Sequence, residues 1–199
     1  MNKQSEDIKA IREMMEKSSK FTSINGLSLV FAGIIAVIGG WCANNILSFK
    51  CGYAKHIDTQ ILPLLITALV VLALSVGIIA LFSWRKSRKN HQSLLNSITL
   101  RAAYNLFVPL AAGGLFSLLL LLRGDVAIVA ASTLIFYGLA LINASKYTFS
   151  ELHFLGICEV IIGLLAAIYL YHGIYWWTIG FGVLHIIFGA IMYFKYDRI

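Results

Sequence analysis

The sequence predicts an all-α integral membrane protein, a bundle of six transmembrane helices joined by short loops. Three observations predict it. Charged residues make up 13% of the 199-residue chain against 59% hydrophobic, where a soluble domain carries about a quarter charged. The apolar residues are gathered into runs of about 20, the length at which a helix crosses a hydrocarbon core. The basic residues fall unevenly on alternate loops. Backbone polar groups in lipid must pair internally, which leaves helices or a closed barrel. The runs are too long for barrel strands and lack period-two alternation, so helices remain.

Residues 1–20 come first and carry Glu6, Asp7, Glu13 and Glu16, which argues against a signal peptide. Ile8, Ile11 and Met15 share one helical face, while Lys9–Glu13, Glu13–Lys17 and Glu16–Lys20 are opposite-charge pairs four apart. The spacing predicts a short amphipathic helix on the membrane surface or under the bundle. One domain, residues 21–199, then holds all six spans, expected near 21–41, 62–84, 103–122, 126–144, 152–171 and 176–194.

Of the 16 Lys and Arg residues, Lys50, Lys55 and Arg123 fall on one predicted side and the rest on the other. Basic residues stay cytoplasmic, so both termini are expected in the cytoplasm and the protein in a plasma (inner) membrane. The net charge of +7 is therefore topology signal. It is spread over several loops without an aromatic platform, which excludes a nucleic-acid partner; the cluster Arg85–Lys89 anchors the second span or meets anionic head groups.

Cys42 and Cys51 bracket the start of the largest outer loop and form a disulfide if that compartment is oxidising. The alternative is a free Cys42 inside the first helix. Cys158 reads as a small packing residue.

Gly26, Gly33 and Gly40 recur every seven residues on the first helix, Gly156 and Gly163 on the fifth, Gly182 and Gly189 on the sixth. Small residues at such spacing let helix backbones approach closely in lipid. The shared interval is a weak internal echo, too slight to establish duplication. Pro109 cannot donate to the Asn105 carbonyl, and Gly113 and Gly114 follow, so the third helix is expected to kink or break there.

The stretch GICEVIIG carries Glu159 between two of these glycines. An ionisable residue at such depth marks a functional site by default. Glu159 lies about 10 Å and His185 about 13 Å from the same membrane face at 1.5 Å per residue, on helices joined by a short loop. A contact between them is allowed, as part of a proton, cation or substrate site or as a structural tie. Asn105, Asn143, Lys146 and His153 lie toward the same face and could line a polar cavity with them; Arg101, Lys146, Glu151 and His153 could instead snorkel to the interface.

No metal and no cofactor is implied. Glu151 and His153 are two apart and do not share a helix face, and no zincin, elbow or phosphate loop surrounds Ser145, Ser150 or Cys158. Tyr169, Tyr171, Tyr175, Trp176 and Trp177 at one end of the last hairpin, with Tyr193, Phe194 and Tyr196 at the other, suit interfacial belts. The expected function is that of a small transporter or channel-like protein, not an enzyme, in contact with the lipid bilayer and forming a homodimer or larger assembly. The competing reading is a sensor, stress factor or assembly scaffold in which Glu159 and His185 merely hold two helices together.

Overall fold

The computed structural model describes residues 24–49, 58–89 and 97–198. The expected amphipathic helix over 1–20 and Cys51 of the candidate disulfide lie outside the described residues. Six stretches are long and apolar enough to cross a membrane: Gly26–Leu47, Ile61–Lys89, Ser97–Arg123, Val126–Tyr147, Ser150–Ile168 and Leu170–Asp197.

The first five are α1 (Gly26–Phe49), α2 (Asp58–Lys89), α3 (Ser97–Arg123), α4 (Val129–Ala144) and α5 (Ser150–Ile168). The first three overrun the bounds expected from hydropathy. Helical pairing need not stop where the apolar run does, and the Arg and Lys residues that end α2 are good helix formers. The sixth span is irregular. It comprises a 3₁₀ turn (Leu170–His172), α6 (Gly173–Trp177), a π-helical stretch (Thr178–Leu184), α7 (His185–Met192) and a second π-helical stretch (Tyr193–Asp197).

Helix ends are set by local chemistry. Asn25 caps α1, its Oδ1 accepting the Leu27 N–H at 2.8 Å. At the end of α3, Gly124 takes φ +84°, a conformation that favours glycine. The Gly124 and Asp125 amides then bond Leu121 O and Leu120 O at 3.0 and 2.9 Å, closing a Schellman turn.

In the packing, α1 sits between α2 and the sixth span, and α4 between α3 and α5. Glycines make both central contacts. A Cβ on Gly26 would meet Gly189 O at 2.6 Å, one on Gly33 would meet Gly182 O at 2.7 Å, and one on Gly40 would overlap Thr178. The three glycines of α1 thus face the sixth span, whose Gly182 and Gly189 face back.

The glycines of α5 behave differently from the last-hairpin packing suggested by the short loop. Gly156 and Gly138 face each other, a Cβ on either meeting the other's carbonyl oxygen at 2.7 and 2.6 Å, and Gly163 abuts Leu134 and Ile135. The close partner of α5 is therefore α4. Gly138 completes that contact, although a single glycine lacks the seven-residue repeat that drew attention to the others.

Helix α3 runs unbroken through Pro109. The carbonyl that proline strands is taken by a neighbour: Asn143 Nδ2 donates to Asn105 O at 3.2 Å. The pronounced departure from α geometry lies instead in the sixth span, just before His185.

Candidate functional site

Glu159 projects from the middle of α5 and His185 from the start of α7, and the structure brings them together. Oε1 of Glu159 is 3.4 Å from Nδ1 of His185, with their side chains 0% and 5% exposed. This is ion-pair distance, yet neither carboxylate oxygen has a hydrogen-bond partner. The reason is that both ring nitrogens are already committed. Nδ1 lies 3.1 Å from Gly180 O, and Nε2 lies 2.7 Å from the Tyr137 hydroxyl.

A carbonyl oxygen only accepts, so the ring hydrogen sits on Nδ1 and Gly180 O receives it. In the neutral ring the lone pair then lies at Nε2 and accepts the O–H of Tyr137. The π-helical stretch places Gly180 for this contact, five residues before His185 rather than the usual four. Gly180 also makes room for the carboxylate, since a Cβ there would lie 2.5 Å from Glu159 Oε2 and overlap Leu134.

Two apolar clusters enclose the triad. One holds Leu152, Leu155 and Met192, with Tyr137 and Tyr196 packed on it. The other holds Ala131, Leu134 and Ala166, with Trp176 and Phe181 packed on it. Along α4, α5 and the sixth span alike, the Tyr137, Glu159 and His185 positions fall between the two. Trp176 Nε1, in the second cluster, is also buried without a hydrogen-bond partner. An unsatisfied polar group in low dielectric is costly, and here two occur in one layer of the bundle and the next.

The other residues singled out in the sequence gather elsewhere. Lys146 Nζ donates to Asn143 Oδ1 at 3.3 Å, Asn143 to Asn105 O, and Asn105 Nδ2 to Arg101 O at 2.8 Å. His153 Nδ1 lies 3.3 Å from Ser145 Oγ, and both Lys146 and His153 are exposed. Asn105, Asn143 and Lys146 thus form a chain over the ends of α3 and α4, with His153 on α5 near Ser145. This chain is separate from Glu159 and His185.

Cys42 and Cys158 are half-buried on α1 and α5. Among the described residues no three His, Cys, Asp or Glu side chains are placed to hold a metal ion.

Tyr137 is the participant that sequence reasoning missed. A lone tyrosine in an apolar run carries no signal of its own; its place in helix α4, 22 residues before Glu159, becomes informative only once α4 and α5 are known to pack antiparallel.

The six spans and the buried Glu159–His185 contact define the chain as a multi-pass helical membrane protein with polar residues inside its bundle. No family model matches the sequence, and neither the curated proteins nor the solved structures yield a match.

Proposed function

We propose that the protein is a small membrane transporter or channel-like protein, linked to proton or cation movement through Glu159. The observation that carries this reading is the pair of unpartnered carboxylate oxygens at zero exposure. A carboxylate kept only as a tie between helices would be expected to use the donors beside it. Here the His185 Nδ1–H is turned to Gly180 O and the Tyr137 O–H to His185 Nε2, and the carboxylate is left to take up a proton or a small bound species.

A proton fits the surroundings best. A metal cation such as Ca²⁺ needs about six oxygen ligands, whereas Gly180 stands so close to the carboxylate that even a Cβ on it would lie 2.5 Å from Oε2. A proton that water delivers to the carboxylate is held at Oε1 or Oε2, with His185 Nδ1 3.4 Å from Oε1, and it leaves to water again, so neither Tyr137 nor the imidazole changes its own proton count.

The reading of both termini as cytoplasmic rests on the positive-inside bias and is supported by the Lys86–Asp197 pair, which brings the basic end of α2 to the segment carrying Lys195 and Arg198. That both ends of the described chain lie on one face is supported by the Gly26 N–H bond to Asp197 at 2.7 Å. The competing scaffold reading draws on the complete burial of Glu159 and its closeness to His185.

Reconstitution into vesicles loaded with a pH-sensitive dye separates the two. With a pH gradient and membrane potential imposed, and a panel of cations and small solutes added outside, wild type is expected to acidify or alkalise the lumen. Glu159→Gln is expected to abolish that change while remaining folded. Equal proton movement by both proteins would remove Glu159 from the mechanism.

A further inference from the structure

The last residues of the sixth span form a cap across one end of the bundle. Asp197 Oδ2 accepts the Gly26 N–H at 2.7 Å, and Asp197 Oδ1 accepts from Lys86 Nζ at 2.7 Å. Lys86 also donates to Ile24 O at 3.0 Å. On the other flank, Lys195 Nζ bonds Glu151 Oε1 at 2.5 Å. The Tyr196 hydroxyl reaches both oxygens of Glu151, at 3.1 and 3.0 Å.

Aromatic packing joins the two flanks. Phe149 and Tyr196 have ring centroids 4.4 Å apart, and Lys86 Nζ stands 5.9 Å over the Phe149 ring. One five-residue segment, Tyr193–Asp197, thereby ties together α1, α2 and α5. Both of its ion pairs join it to another helix, so neither can survive an outward swing of the sixth span.

Beneath this cap lies the cluster of Leu152, Leu155 and Met192, and beneath that the triad. Leu155 and Met192 are 0% and 1% exposed, so among the described residues this layer is closed above Glu159 in this conformation. A path to Glu159 from this end requires the sixth span to part from α5, which separates Met192 from Leu155 and breaks Lys195–Glu151 in the same motion.

We infer that Lys86–Asp197 and Lys195–Glu151 are the paired bolts of a gate that closes Glu159 off from the end of the bundle carrying Gly26 and Asp197. The inference rests on the reading of Glu159 as a site that exchanges with water. The bolts are half of the gate and the Leu155–Met192 contact is the seal. Breaking the bolts shifts the population toward the open form without altering any group that touches Glu159. The ion pairs are solvent-edged, with Lys195 55% and Lys86 18% exposed, which suits contacts that must break and reform.

The test reads access to Glu159 rather than transport. The full chain in lipid nanodiscs is treated with a water-soluble carbodiimide and glycinamide, and amide formation at Glu159 is located by fragmentation mass spectrometry. Wild type is expected to label slowly. The double variant Lys86→Ala, Lys195→Ala is expected to label about tenfold faster, the population change that about 1.4 kcal/mol produces.

Lys86→Arg with Lys195→Arg keeps both charges and is expected to restore slow labelling. Lys195→Met alone touches only a half-exposed side chain, and is expected to give a smaller acceleration even where the double variant folds poorly. Equal rates in wild type and Lys195→Met would overturn the gate, as would fast labelling in the arginine pair. Failure of Glu159→Gln to change proton movement would instead strike the proposed function, and leave the labelling result standing as a statement about access.

Discussion

His185 Nδ1 stands 3.4 Å from Glu159 Oε1, yet the geometry directs its hydrogen to the carbonyl of Gly180, 3.1 Å away. A contact that looks like an ion pair by distance thus leaves the carboxylate unsatisfied. This separates a residue retained for stability from one retained for exchange, because removing an unmade hydrogen bond costs little.

Glu159→Gln is therefore expected to leave thermal stability unchanged or to raise it, while abolishing proton movement. Replacing a desolvated, unpaired carboxyl by a neutral amide of the same shape loses no hydrogen bond. Thermal unfolding in detergent, followed by light scattering, checks the sign. A fall of several degrees would show that the carboxylate holds the fold, as the scaffold reading requires.

Tyr137→Phe makes the opposite change. It removes the hydroxyl that lies 2.7 Å from His185 Nε2 and leaves that nitrogen buried and unpaired. The expected loss is about 1–3 kcal/mol of stability, together with slower proton movement. A variant as stable as wild type would mean that water replaces the hydroxyl or that the histidine turns.

The Asn143–Asn105 contact offers a double-mutant cycle. Asn143→Ala strands the Asn105 carbonyl that Pro109 leaves without a main-chain donor, at an expected cost of about 1 kcal/mol. In a Pro109→Ala background the helix supplies its own donor, and the same Asn143→Ala change is expected to cost less. Additive effects of the two substitutions would show that Asn143 does not serve the proline gap.

Glycine substitutions sort by what they face. Gly138→Ala drives a Cβ to 2.6 Å from the Gly156 carbonyl, where backbone must give way; an expected loss of about 1–3 kcal/mol follows from overpacking. Gly180→Ala pushes on Glu159 and Leu134 and is expected to impair proton movement as well. Gly77→Ala and Gly114→Ala have nothing within 4 Å and are expected to be neutral or stabilising by up to about 1 kcal/mol, as alanine favours helix. Unfolding midpoints for the series check the order.

The sequence made the spans legible because hydrocarbon thickness and backbone pairing leave few alternatives for a run such as residues 62–84. It also showed Glu159 and His185 at similar depth, since the short turn between their helices limits relative height. Side-chain direction was another matter. Nothing in the spacing revealed that the Nδ1 hydrogen goes to Gly180, because that depends on π-helical turns that carry no hydropathy signature.

Tyr137 was hidden for a related reason: its role depends on α4 packing against α5, and the loop lengths alone favoured α5 against the sixth span. Asn105, Asn143 and Lys146 were expected toward one end, and they are joined to one another by hydrogen bonds. Their association with Glu159 did not follow, because Asn143 is occupied with the carbonyl that Pro109 leaves open.

The central claim is that the Glu159 carboxyl takes up and releases a proton within the folded bundle. Infrared difference spectroscopy of the nanodisc-embedded chain across a pH step tests it most directly, reading the carbonyl stretch of protonated carboxyl groups. The account expects a band that titrates in wild type and is missing in Glu159→Gln. Identical difference spectra from the two proteins would contradict it.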